Sequence, residues 1–145
     1  MVPSGIDKEK VSLQLERLDD LNRQLEEARE RLEQSHDDSL LISGAERLLQ
    51  IVTEECINIG QHIIAGLNLE KADSYREVFG SLARAGVISG ETSATMAKLV
   101  SFRNRLVHLY WQVDHDEVST WLKEVRITLH YASEVFTYLK HRGLL

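Results

Sequence analysis

Apolar residues recur at helical spacing in five stretches of the chain, separated by polar or glycine-containing breaks. The first stretch, residues 7–34, places Val11, Leu18, Leu25 and Leu32 seven apart, with Gln14, Leu21 and Ala28 at the intermediate heptad position. This coiled-coil-like seam runs for only about three heptads, which favours an antiparallel bundle helix over a free coiled coil. Ser35-His36-Asp37-Asp38-Ser39 is a polar connector. A second helix then reaches Ala65, with Leu41, Ala45, Leu48, Val52, Cys56, Ile59 and Ile63 facing inward, and Gly66-Leu67-Asn68 ends it. Ser74 with Glu77 has the side chains of a capping box and predicts a short third helix over 75–85 that stops at Gly86. A fourth helix is expected from Glu91 to Trp111. Asp114 with Glu117 opens a fifth, whose Val118, Trp121, Leu122, Val125, Leu129, Ala132, Val135, Phe136 and Leu139 form a broad apolar face. No strand-like alternation bounded by turn residues occurs. The expected fold class is all-α, a helical bundle of four long helices plus one short helix.

Composition narrows the class. The 145 residues, 43% of them hydrophobic, suit one domain, 1–145, with 1–6 expected to be disordered. The one proline stands at position 3, so long helices are permitted beyond it. No apolar run approaches the roughly 18 residues of a membrane span, and Met1-Val2-Pro3-Ser4-Gly5 does not read as a signal peptide. A cytoplasmic location is the expectation. The single cysteine, Cys56, excludes an internal disulfide and a cysteine-based zinc site, and reads as core filler.

Charge is unevenly spread. The net charge of -6 argues at first against a nucleic-acid partner. Yet residues 7–38 hold 11 acidic against 6 basic residues, whereas 92–113 contain no carboxylate and carry Lys98, Arg103 and Arg105. The chain reads as acidic at its first helix and locally basic on its fourth.

That fourth helix holds an anomaly. Met96, Leu99, Val100, Leu106, Val107 and Tyr110 share one face, and Arg103 falls in the middle of it. A permanently charged guanidinium among apolar neighbours needs a partner: a carboxylate from another helix, a helix C-terminus or a ligand phosphate. Asn104 and His108, four apart, face the same way, while Arg103 and His108 lie about 140° apart on a straight helix. A kink or a second copy of the helix would bring the two together. A histidine that titrates near neutrality and a guanidinium that takes phosphate charge are the pieces of metal-free RNA cleavage.

The string Arg103-x4-His108-x-Tyr110, with Asn104 after the arginine, resembles the R-x4-H-x-Y motif of the HepT-like ribonuclease toxins, a branch of the HEPN superfamily. The resemblance extends through Arg47–Val52, Glu54–Ile64, Ser74–Phe79, Leu82, Gly86-Val87-Ile88 and Met96, covering residues 40 to 115. It implies the toxin of a type VII toxin–antitoxin pair: a HEPN-type homodimer with its active site at the subunit interface, acting as a metal-independent endoribonuclease with no cofactor. In that reading the RNA 2′-hydroxyl attacks the adjacent phosphate, His108 is the general acid/base, Arg103 stabilises the phosphorane and Asn104 orients either the histidine or the phosphate. The resemblance also implies a minimal nucleotidyltransferase (MNT-type) antitoxin that transfers AMP onto Tyr110. The alternative is a non-catalytic RNA- or nucleotide-binding partner of a nucleotidyltransferase.

Other residues have ordinary readings. Glu54, Asn58 and His62 share a face of the second helix and are expected to be a solvated polar face rather than a cleft lining or metal site. Trp111 and Trp121 are expected in packing rather than on a base, and Arg105 is equally an RNA-backbone contact or a surface charge.

Overall fold

The computed structural model describes residues 5–145. Among them run six α-helices: α1 (Lys8–Gln34), α2 (Ser39–Gly66), α3 (Tyr75–Arg84), α4 (Gly90–His108), α5 (His115–Glu124) and α6 (Ile127–His141), with a one-turn 3-10 helix over Tyr110–Gln112. The all-α bundle of the sequence reading is borne out, with its last helix divided in two.

The helix starts follow from local chemistry. Asp7, Asp38, Ser74, Ser89 and Asp114 each accept a hydrogen bond from the backbone N–H three residues on, which satisfies a donor that the first helical turn leaves unpaired. α2 ends where expected, with Asn68 in the left-handed region at φ 54°. Gly5 donates its N–H to the Gly66 carbonyl at 3.1 Å, and Ile6 is buried. The hydrogen bond ties the start of the described chain to the end of α2; residues 1–4 of the lead expected to be disordered lie outside the described residues.

α2 touches each of the other five α-helices and forms the centre of the bundle. Its inner face buries Ile42, Ala45, Leu49, Val52, Cys56, Ile59 and Ile63. The heptad seam of α1 turns inward as predicted, burying Val11, Leu18, Leu21, Leu25, Ala28 and Leu32. Tyr131 of α6 is fully buried, donates its hydroxyl to the Cys56 carbonyl at 3.0 Å and meets Phe79 edge-on at 5.3 Å. Burial pushes the Cys56 thiol well above its ordinary range, so it stays an inert core thiol. Gly60 permits this close packing: a Cβ there would stand 2.5 Å from Val78 Cγ1.

The predicted fifth helix breaks at Val125-Arg126 because a side chain competes for its backbone. The Thr128 hydroxyl donates to the Val125 carbonyl at 2.8 Å, and the Thr128 N–H turns to the same carbonyl at 2.9 Å. Asn22 of α1 then donates to the Thr128 hydroxyl at 2.8 Å. The turn is a tight one held from a neighbouring helix. α4 is anchored at its other end, where Glu134 of α6 accepts from the Ser89 N–H at 2.8 Å and from the Thr92 hydroxyl.

Candidate functional site at the end of α4

The arginine anomaly has a structural answer. α4 buries Met96, Leu99, Val100, Phe102 and Leu106, which carries Arg103 to the seam with α2. There Glu54 Oε1 accepts from Arg103 Nη2 at 2.7 Å and from Nε at 3.2 Å, while Arg103 Nη1 donates to Asn104 Oδ1 at 3.1 Å. The guanidinium carbon also lies over the Tyr75 ring, 5.5 Å from its centroid. The side chains of Arg103 and Glu54 are 14% and 33% exposed, so the pair sits at the lip of the bundle rather than in open solvent.

Glu54 is thus the partner that the apolar stripe demanded, and it was read from the sequence only as part of a solvated face. Partial burial pushes its carboxyl up, but hydrogen bonds from Arg103 and Gln50 outweigh this and hold it below the ordinary carboxylate value. Gln50 donates to the same oxygen at 3.0 Å. The other two members of that face go elsewhere. Asn58 is exposed. His62 accepts the Asp7 N–H through Nε2 at 3.0 Å, which ties α2 to the start of α1.

α4 stops sooner than the periodicity suggests. Leu109 leaves helical geometry at φ -137° and ψ 41°, and its N–H closes on the Arg105 carbonyl at 2.8 Å. The helix ends at His108, and Tyr110 and Trp111 belong to the separate 3-10 turn, so Tyr110 is not in seven-residue register with Arg103. No glycine or proline marks this stop. His108 is exposed, and among the described residues no hydrogen bond joins it to Arg103 or Asn104. Tyr110 is 66% exposed and meets Trp111 edge-on at 5.5 Å. Trp121 instead stacks on Phe102 at 5.9 Å, a packing role as expected, whereas Trp111 is exposed.

Arg105 is held too. Its Nη1 donates to Glu117 Oε1 at 3.2 Å and its Nη2 to Glu117 Oε2, a two-point pair between α4 and α5. The hydrogen bond from Arg105 holds the Glu117 carboxyl below its usual value. Both arginines of the basic helix therefore meet carboxylates supplied by other helices. The local positive charge read from the sequence is largely matched within the folded subunit.

Comparison with known proteins agrees with this architecture. A family model described as Ribonuclease HepT-like matches residues 12–135. The chain belongs to the HepT-like family. Over 73 residues it is 36% identical to a curated tRNA nuclease HepT of Aphanizomenon flos-aquae, a match spanning 50% of this chain and 50% of that protein. The chain thus aligns with half the length of that relative. Bacillus subtilis YutE superimposes with a TM-score of 0.83 at 16% identity, covering 99% of this chain and 97% of that one. A tri-AMPylated Shewanella oneidensis HEPN toxin in complex with MNT antitoxin superimposes with a TM-score of 0.82 at 22% identity, covering 88% and 96%. At these identities the structural likeness establishes the fold.

Within this HepT-like chain, the structure joins Arg103 to Asn104 and leaves two residues at the surface, His108 as the last residue of α4 and Tyr110 in the 3-10 turn beyond it. Two residues at the site were missed by sequence reasoning, Glu54 as the arginine's partner and Tyr75 as its aromatic neighbour. The signal for Glu54 was available: an arginine on a buried stripe requires a carboxylate, and Glu54 is flanked by Val52, Cys56 and other core positions of the adjoining helix. Nothing in the sequence pairs Tyr75 with Arg103. No helix among the described residues is long and apolar enough to cross a membrane.

Proposed function

We propose that the chain is the toxin of a type VII toxin–antitoxin pair, a cytoplasmic endoribonuclease whose active site is built from the end of α4. The observation that carries this reading is a fixed guanidinium followed, within one short segment, by an exposed imidazole and an exposed phenol. A guanidinium offers five N–H donors. Glu54 and Asn104 take three of them, so two remain for the oxygens of a phosphate. His108 then serves as general base and acid: one imidazole takes the proton of the 2′-hydroxyl, and a protonated imidazole gives one to the departing 5′-oxygen. The 2′-oxygen forms its bond to phosphorus as the bond to the 5′-oxygen breaks, leaving a 2′,3′-cyclic phosphate. Arg103 stabilises the charge of the phosphorane, and Asn104 holds the guanidinium in place.

Arg103 and His108 are not joined within one subunit, which supports a homodimer in which the ends of two α4 helices meet. The family's ribonuclease name and the tRNA nuclease among its relatives support RNA, and tRNA in particular, as the substrate class. The reaction as proposed calls on no metal or other cofactor.

Tyr110 is the proposed acceptor of AMP from an MNT-type nucleotidyltransferase antitoxin. Its exposure leaves the hydroxyl open to a second protein, and an added AMP would put a bulky anion just beyond the end of α4, opposing the approach of RNA phosphate. The related Shewanella toxin, tri-AMPylated and bound to its MNT antitoxin, supports this switch. Expression tests the reading as a whole. Wild type alone should arrest growth and His108→Ala should not. Co-expression with the nucleotidyltransferase should restore growth and add AMP mass that maps to Tyr110. Equal harmlessness of both forms without antitoxin would contradict the toxin reading and favour the non-catalytic binding partner.

A further inference from the structure

Tyr75 is out of keeping with its surroundings. It opens α3, fixed by the Ser74 side chain, which accepts the Glu77 N–H at 3.3 Å. Val78 and Phe79, three and four residues later, are buried against α2 and α6, so the start of α3 is rigidly seated. Yet the Tyr75 ring itself is 45% exposed and adjoins the one guanidinium that faces the proposed phosphate position. An aromatic ring in this position costs apolar exposure that a polar residue would avoid.

We propose that Tyr75 is a nucleobase platform: a base next to the phosphate held by Arg103 stacks on its exposed ring. The proposal rests on the ribonuclease reading of the α4 site and assigns its substrate as RNA that is single-stranded at the cut. A phosphate on the two remaining donors of Arg103 carries its nucleoside within reach of the adjoining ring. Every base presents a π-face, so such a platform favours unpaired over paired RNA without selecting one base strongly. The other exposed aromatics are placed differently. Tyr110 and Trp111 stand edge-on to each other beyond the helix end, and Phe136 lies on α6 beside a groove against α1.

The test uses an RNA oligonucleotide that the full-length protein cuts at one mapped phosphate, together with versions carrying an abasic ribose on either side of it. Wild type should lose about 5- to 150-fold in kcat/KM on one abasic version, the loss of a single base–aromatic stack. Tyr75→Phe should behave like wild type. Tyr75→Ala should show a similar loss on intact RNA, chiefly in KM, and no further loss on the abasic version. Full abasic sensitivity in Tyr75→Ala, or wild-type cleavage of intact RNA by it, would overturn the proposal. So would a fall in kcat alone, which would show that the ring merely props Arg103. Binding of a single-stranded RNA oligonucleotide of mixed sequence to wild type and to Tyr75→Ala, which needs no mapped cut, separates the two readings. If wild type cuts no RNA but binding still depends on the Tyr75 ring, the platform stands and the ribonuclease reading falls; if binding ignores the ring, the platform falls as well.

Discussion

Glu54 of α2 grips Arg103 of α4 through one carboxylate oxygen, 2.7 Å from Nη2 and 3.2 Å from Nε. The grip fixes the guanidinium and also places a negative charge beside the position proposed for RNA phosphate. The site is therefore tuned for orientation of the arginine rather than for the greatest positive potential.

Removing either partner should reveal the coupling. Glu54→Ala leaves a largely buried guanidinium short of its acceptor and should lower the unfolding free energy by about 1–2 kcal/mol. Arg103→Ala should do likewise, and the double variant should cost less than the sum of the two. Urea denaturation measures this cycle; strict additivity would show that the pair carries no net stability. In cleavage, Arg103→Ala should lose about 10²–10³-fold in kcat, the usual loss for one group that stabilises transition-state charge.

Arg105 should behave otherwise. Its charge is committed to Glu117 at the surface, and such pairs contribute about 0–1 kcal/mol. Arg105→Ala should change stability by less than about 1 kcal/mol and leave the salt dependence of RNA binding unaltered. A salt slope reduced by about one would show instead that Arg105 leaves Glu117 to contact the RNA backbone.

Two glycines of α2 should respond in opposite directions to the same substitution. At Gly60 a methyl group would collide with Val78, and Gly60→Ala should destabilise by about 1–3 kcal/mol through overpacking. At Gly44 a Cβ meets nothing within 4 Å, and Gly44→Ala should stabilise by about 0.5–1 kcal/mol through lost backbone freedom in the unfolded chain. Thermal melting of the two variants decides whether the close approach of α2 and α3 is as described.

His62 should make stability depend on pH. Burial, and then the charge of Lys10, hold its imidazole below the ordinary value, and its Nε2 must be unprotonated to accept the Asp7 N–H. A histidine with a lowered folded value contributes fully above its unfolded value of about 6.5, and the contribution disappears as pH falls through the folded value. The melting temperature of wild type should thus fall more between about pH 7 and pH 5 than that of His62→Gln, whose amide oxygen accepts at either pH. Parallel pH curves for the two proteins would remove His62 from this role.

These features were unequally legible in the sequence. The heptad seam of α1, the inner stripe of α2 and the caps at Ser74 and Asp114 depend on neighbours close in sequence, and periodicity revealed them. The division of α5 from α6 depends on Thr128 meeting Asn22, residues that are 106 positions apart. The early end of α4 carries no helix-breaking residue, so apolar spacing ran on through Trp111. At the site, Arg103 announced its need for an anion through its place on an apolar stripe, but identifying Glu54 required the packing of α4 on α2. Tyr75 was invisible for the same reason. The charge balance misled in a related way, since carboxylates absent from one helix arrived from two others.

In the proposed reaction the end of α4 cuts RNA by 2′-hydroxyl attack, with His108 moving the protons. The most direct measurement is the chemistry of the RNA ends released by purified wild type and by His108→Ala, assayed with a tRNA substrate and with the same RNA carrying a 2′-deoxyribose at the cut. Wild type should leave 2′,3′-cyclic phosphate ends and no cut at the deoxy position, and His108→Ala should lose at least about 10²-fold. Cleavage that persists in His108→Ala, or at the deoxy position, would contradict this reaction.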